Sequence, residues 1–173
     1  MWRFARLNLI SPVGSPVAFE IERKFLTISD AWRDQVRQTL SIRQAYLANT
    51  GKASVRVRIS DDQGYICSKS MTVDIRRHEF EYPIPVADAD FMIEHMCQGS
   101  AIIKQRHLAK VGDHLWEIDE FAGDNQGLIV AEIELAHETD SFQHPSWLGA
   151  EVSHDPRYFN MALVEHPFRD WTT

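Results

Sequence analysis

Apolar and polar residues alternate with a period of two along much of the chain, the pattern of β-strands with unlike faces. In the first such stretch, 17–26, Phe19, Ile21 and Phe25 fall on one face. Glu20, Glu22 and Lys24 fall on the other, and Arg23 is the one charged residue among the apolar set. Further strands are predicted over 42–49, 53–60, 65–70 and 75–85. Turns near Gly51 and at Asp61-Asp62-Gln63-Gly64 join the second, third and fourth strands. Pro83 and Pro85 are expected to end the fifth strand, because proline has no ladder donor. A hairpin over 101–110 and 114–121 and a last strand over 128–137 bring the number to eight.

The period lengthens in three places. Ser29 as an N-cap, followed by Trp32, Val36 and Leu40, predicts a short amphipathic helix. Phe91, Met92, His95 and Met96, with Asp88 and Asp90 ahead of them, predict a helix within 87–97. From Asp140 onward the chain reads as short helical pieces, around Trp147 and over 155–165, with Pro167 as the stop. The fold expected is α+β and mainly antiparallel: an eight-stranded closed β-barrel tunnel with a charged lumen and helices packed outside. One domain over 19–167 is expected, with a flexible leader or an upstream start over 1–18 and a tail over 168–173.

Composition is that of a globular chain of 173 residues, 44% hydrophobic and 25% charged. The net charge of −7 argues against nucleic-acid binding through a bulk basic field. No apolar run approaches the ~20 residues needed to span a bilayer, so no membrane partner is expected. Cys67 and Cys97 form no disulfide framework or metal-ligand spacing and read as reduced thiols of a cytoplasmic protein. The eight histidines form no HxH or HExxH array. A homodimer is the expected oligomer if there is one.

The polar face of the strands carries the chemistry. Same-sign doublets recur two residues apart: Glu20/Glu22, Arg56/Arg58, Glu79/Glu81, Lys104/Arg106, Glu117/Asp119 and Glu132/Glu134, with Lys24 and Lys69 beside them. A solubilising face would mix signs within each strand. Strands that commit a whole face to charge close most economically into a barrel with the charges inside, and eight strands leave room for one small ligand. Such a lumen is stable only if its charges are paired or hold ions. Eight carboxylates against six bases leave a net of two negative charges, which one divalent cation neutralises. Oxygen-rich sites select hard ions such as Mg²⁺ or Mn²⁺, and six bases suit an oligophosphate better than a single phosphate.

The ordered set of motifs resembles the CYTH superfamily, the triphosphate tunnel metalloenzymes, and within it the short bacterial branch. The likeness runs from about Phe19 to about Pro167. It rests on Glu20-x-Glu22-x-Lys24, Arg43-Gln44-Ala45-Tyr46-Leu47, Val55-Arg56-Val57-Arg58, Lys69, Glu79-Phe80-Glu81-Tyr82 and Lys104-x-Arg106. Trp116-Glu117-Ile118-Asp119-Glu120-Phe121, Val130-Ala131-Glu132-Ile133-Glu134-Leu135 and the stretch from Glu151 to Tyr158 follow in order. Ala45 and Ser70 stand where glycine is usual.

The resemblance implies metal-dependent hydrolysis of a triphosphate, inorganic tripolyphosphate first. Thiamine triphosphate hydrolysis and adenylyl cyclisation of ATP are the alternatives within the same tunnel. A non-catalytic polyphosphate- or nucleotide-binding module is the alternative of another class. It implies that Glu22, Glu132 and Glu134 hold the metal that organises the phosphate chain, and that Glu20, Glu79 and Glu81 hold a second ion that activates water. Arg56, Arg58, Lys69, Lys104 and Arg106 are expected to cradle phosphate oxygens. Lys24 is expected near the terminal phosphate, and Tyr46 is expected to position water or a phosphate oxygen. Glu117 and Asp119 are expected to anchor the bases, and Arg157 to cap one tunnel mouth. No constellation that would seat an adenine is visible, and a full carboxylate set exceeds what a sensor needs.

Overall fold

The computed structural model describes residues 19–70 and 76–171. The leader expected over 1–18 and the side chain of Glu20 lie outside the described residues. Among the described residues nine strands form one antiparallel sheet: β1 (Phe19–Thr27), β2 (Val36–Asn49), β3 (Ala53–Ser60), β4 (Gln63–Ser70), β5 (Arg76–Ile84), β6 (Gln98–Val111), β7 (His114–Phe121), β8 (Ile129–Glu134) and β9 (Leu148–Glu151). Helix α1 (Val86–His95) follows β5, and the short helix α2 (Asn160–Glu165) lies near the C-terminus. The spatial order is β5-β4-β3-β2-β6-β7-β8-β1-β9, and β5 also pairs with β1. Phe19, Glu20 and Ile21 face His78, Arg77 and Arg76, while Glu22 through Leu26 face β8 from Glu134 to Val130. One end of β1 thus brings the two sides of the sheet together, giving the tunnel its ring of eight strands.

Three expectations need correction. The helix expected through Trp32, Val36 and Leu40 is a six-residue 3₁₀ helix, Asp30–Gln35, and Ser29 makes no side-chain cap. β2 begins at Val36, because the 14-residue β6 extends a ladder that far, from Ala109 opposite Val36 to Gln98 opposite Tyr46. Cooperative pairing along two long strands overrides a weak helical period. Pro83 does not end β5; it sits in register opposite Tyr65. Beyond His78 that strand pairs on one side only among the described residues, so a missing N–H costs nothing there. The segment around Trp147 is not helical. It leads into β9, a ninth strand that pairs with the far end of β1. Gly149 permits the approach, since a Cβ there would lie 2.9 Å from the Leu26 carbonyl oxygen.

The apolar faces of the strands build a core outside the barrel wall. Ile21, Phe25, Trp116, Ile118, Ala131 and Ile133 pack with Trp32 and Trp147 in the largest cluster. Ala45 and Val57 pack under Ala89 and Ile93 of α1. A third cluster joins Ile102, Phe121 and Val130 to Leu163 of α2. These strand positions share parity with the charged residues, so they form an apolar plug at one end of the lumen beneath α2. Phe168 and Trp171 pack against this plug, which ties down the start of the segment expected as a tail.

Candidate active site

The period-two alternation places the charged face of each strand toward the inside of the ring. Lys24, Arg56, Arg58, Lys104, Arg106, Asp119 and Glu132 are all buried, a concentration of charge that a solvated sheet face would not have. Each is held by a partner on the neighbouring strand or the next one over. Arg106 on β6 stands opposite Asp119 on β7 and also donates to Glu132 on β8 at 2.8 Å. It pairs with Glu117 as well. Lys24 pairs with Glu132 and lies 3.5 Å from Glu22. Arg58 reaches Glu81 at 2.5 Å, and Lys69 and Arg56 approach Glu79 at 3.2 and 3.6 Å.

These partners set the protonation states. Burial disfavours the Lys24 ammonium, but Glu132 and Glu22 outweigh it and push the group up to about 12. Burial would raise the Glu132 carboxyl, yet Lys24 and Arg106 hold it well below the usual carboxylate range. Asp119 is likewise lowered against burial, by Arg106 and Lys104. Lys104 goes the other way. Burial pushes it down to about 8, because Asp119 opposes that only in part and Arg106 adds to it. The Tyr46 hydroxyl is raised by burial against the pull of Arg56, Arg77 and Lys24.

Two cavities meet inside the ring, and both are lined by Glu22 and Glu132. The basic one, of about 310 Å³, is lined by Lys24, Tyr46, Arg56, Arg58, Lys69, Arg77 and Arg106, with Asn160 of α2 at its side. The acidic one, of about 650 Å³, is lined by Asp61, Asp62, Asp113, Glu117 and Glu134 as well as the two shared carboxylates. Among the described residues, three buried donors near the basic cavity lack an acceptor: Arg56 Nε, Arg58 Nε and Gln44 Nε2. Buried donors normally find partners, so this arrangement suits an anion with several acceptor oxygens.

Carboxylate oxygens of Glu22, Glu132 and Glu134 line one cavity and are the hard donors that Mg²⁺ or Mn²⁺ takes. The Lys24 ammonium already lies against two of them, so the position accepts a cation. Glu79 and Glu81 converge with the Cys67 thiol to within 4.8 Å. Cys67 is buried, donates to Glu81 at 2.7 Å, and is pushed up to about 11 by burial.

The structure brings the expected bases into the basic cavity with one exception. Lys104 is 2% exposed, held by Asp119 and stacked 5.3 Å from the Phe121 ring, outside the lining of both cavities. Glu117 pairs with Arg106, and Asp119 pairs with both Arg106 and Lys104. Arg157 does not enter the lumen. Its side chain is 66% exposed and turned back onto Asp155, which caps the same turn. Arg77, Gln44 and Cys67 also belong to the site or its edge, and the same-sign doublets pick out none of them. Arg77 was legible, since it lies two residues before Glu79 on the same face of β5, but it breaks the same-sign pattern.

Residues 18–159 match the CYTH domain family. An inorganic triphosphatase of Acetivibrio thermocellus is 41% identical over 152 residues, covering 88% of this chain and 97% of that protein. An inorganic triphosphatase of Nitrosomonas europaea is 34% identical over 149 residues, covering 84% and 96%. The crystal structure of the inorganic triphosphatase NE1496 superposes with a TM-score of 0.64 at 32% identity, over 87% of this chain and 97% of that one.

Proposed function

The chain belongs to the CYTH domain family, and we propose that it is a divalent-metal-dependent triphosphatase acting on inorganic tripolyphosphate. The observation that carries this reading is the basic cavity, lined by Lys24, Arg56, Arg58, Lys69 and Arg106, two of whose arginines carry a buried Nε without an acceptor. A single phosphate offers too few oxygens to engage Lys24, Arg56, Arg58, Lys69 and Arg106 together; a triphosphate does not. Two relatives at 41% and 34% identity are named inorganic triphosphatases, which favours this substrate over ATP cyclisation or thiamine triphosphate.

Glu22, Glu132 and Glu134 would hold a divalent cation, Mg²⁺ or Mn²⁺, with Glu20, Glu79 and Glu81 available to a second. Such ions, when bound, draw charge from phosphoryl oxygens and acidify water. The chain's own residues do the rest. Arg56, Arg58, Lys69 and Arg106 fix the phosphate chain from the walls and offset charge as the bridging P–O bond breaks. Lys24 serves the terminal phosphate, and the neutral Tyr46 hydroxyl donates to a phosphate oxygen or orients water. Lys104 acts beneath them by holding Asp119, which fixes Arg106. The acidic cavity on the far side of Glu22 and Glu132 is the approach for cations and water. Among the described residues both cysteines are free thiols, in keeping with a cytoplasmic setting.

The test is release of phosphate and pyrophosphate from tripolyphosphate, thiamine triphosphate and ATP, each with Mg²⁺, Mn²⁺ or EDTA. Tripolyphosphate hydrolysis that EDTA abolishes is the expected result. Tight tripolyphosphate binding without turnover under any metal would make the protein a sensor, and cyclic AMP from ATP would make it a cyclase.

A further inference from the structure

Glu22 is shared by two cations. Its Oε1 lies 3.5 Å from Lys24 Nζ, and its Oε2 accepts from Arg77 Nη2 at 3.3 Å. Both distances exceed the roughly 2.7–2.9 Å of a good charge-assisted bond. Lys24 has a second anchor in Glu132. Arg77 comes from β5, across the junction that closes the ring, and its side chain lines the basic cavity beside Arg56 and Lys69. A carboxylate expected to take metal therefore also holds an arginine that lines the substrate cavity.

A divalent cation and a guanidinium on one carboxylate repel each other. A metal ion at Glu22 therefore weakens the hold of that carboxylate on Arg77 and Lys24. Each loosened cation stands at the wall of a cavity suited to a polyanion. We propose that Arg77 positions the triphosphate and that Glu22 couples the two ligands, because metal at Glu22 loosens Arg77 from that carboxylate and favours its contact with phosphate oxygens. Coupling of this kind is reciprocal, so triphosphate also favours metal by drawing Arg77 off Glu22. The proposal rests on the triphosphatase reading for the identity of the anion.

Arg77→Gln separates the two effects by sign. Mn²⁺ binding without substrate, followed by electron paramagnetic resonance, should tighten about five-fold or more, because the competitor for Glu22 is gone. The KM for tripolyphosphate should rise about ten-fold or more, the loss of one charge-assisted contact. Arg77→Lys restores the charge and should return Mn²⁺ affinity toward that of the native chain. A substitution that only loosened the fold would weaken both ligands. Unchanged or weaker Mn²⁺ binding in Arg77→Gln overturns the proposal, as does an unchanged KM. Absence of tripolyphosphate hydrolysis in the native chain would instead overturn the triphosphatase reading, and the Mn²⁺ measurement would still judge the contact between Arg77 and Glu22.

Discussion

Arg106 meets Asp119 at two points across β6 and β7: Nε donates to Oδ1 at 2.7 Å and Nη2 to Oδ2 at 2.6 Å, with Asp119 wholly buried. The pair is in direct cross-strand register, so the backbone ladder itself sets the geometry. Asp119 also holds Lys104 and so serves two buried cations. Asp119→Asn leaves both with less than a full counter-charge and is expected to cost about 3–5 kcal/mol, read as a drop in the urea midpoint. Because Asp119 and Glu132 are both held below the usual carboxylate range, their contribution is present above about pH 4 and is lost as acid protonates the folded form.

Lys104 is expected to behave in the opposite way. Its ammonium is buried at the edge of the apolar plug, and Asp119 keeps Arg106 as partner when Lys104 is removed. Lys104→Met should therefore be neutral or stabilising by on the order of 1–3 kcal/mol near neutral pH. The sign with pH follows from a base pushed down to about 8 from 10.5. Between those values the unfolded chain binds more protons, so stability from this group rises with pH, and Lys104→Met should remove the rise. Thermal melts from pH 7 to 10 on both proteins measure this.

The ring of strands was legible because a period of two survives any tertiary context that buries one face. Lumen chemistry was legible for the same reason: Arg56, Arg58 and Glu132 fall on the charged face of their strands, and that face is buried. What escaped were features fixed by partners distant in sequence. β2 starts at Val36 because β6 reaches that far, and β9 forms because β1 has an open edge beyond Ile21. Arg77 escaped because reading strands as same-sign doublets hides a mixed Arg-x-Glu-x-Glu run. Lys104 looked like its neighbour Arg106 in sequence, and only the plug beneath α2 sets its burial apart.

Arg58→Ala tests the basic wall. Arg58 is buried, contacts Glu81, and carries a buried Nε without an acceptor. Burial and the neighbouring Arg56 both disfavour its charge in the substrate-free protein. An incoming polyanion relieves that cost, so the residue contributes more to the complex than to the free protein. Loss of about ten- to a hundred-fold in kcat/KM for tripolyphosphate is expected, with the metal requirement moved less. The reverse pattern would reassign Arg58 from phosphate to the metal half of the site.

Metal removal should separate activity from stability. In the free protein Glu22 is paired with Lys24 and Arg77, Glu79 with Lys69 and Arg56, Glu81 with Arg58, and Glu132 with Lys24 and Arg106. A chain whose fold needed the ion would leave such carboxylates facing one another. Here the lysines and arginines already balance them, so EDTA should abolish turnover and move the melting temperature by only about 1–2 °C, a fraction of a kcal/mol. Metal and tripolyphosphate together should raise it well beyond either alone, because both bind only the native ring. Glu22→Gln should mimic EDTA in activity while remaining folded: the amide keeps a hydrogen-bond acceptor for Arg77 but withdraws the charge that metal needs. Full metal-dependent turnover in that variant would remove Glu22 from the metal site, and a large fall in melting temperature on EDTA treatment would show that the ion belongs to the fold.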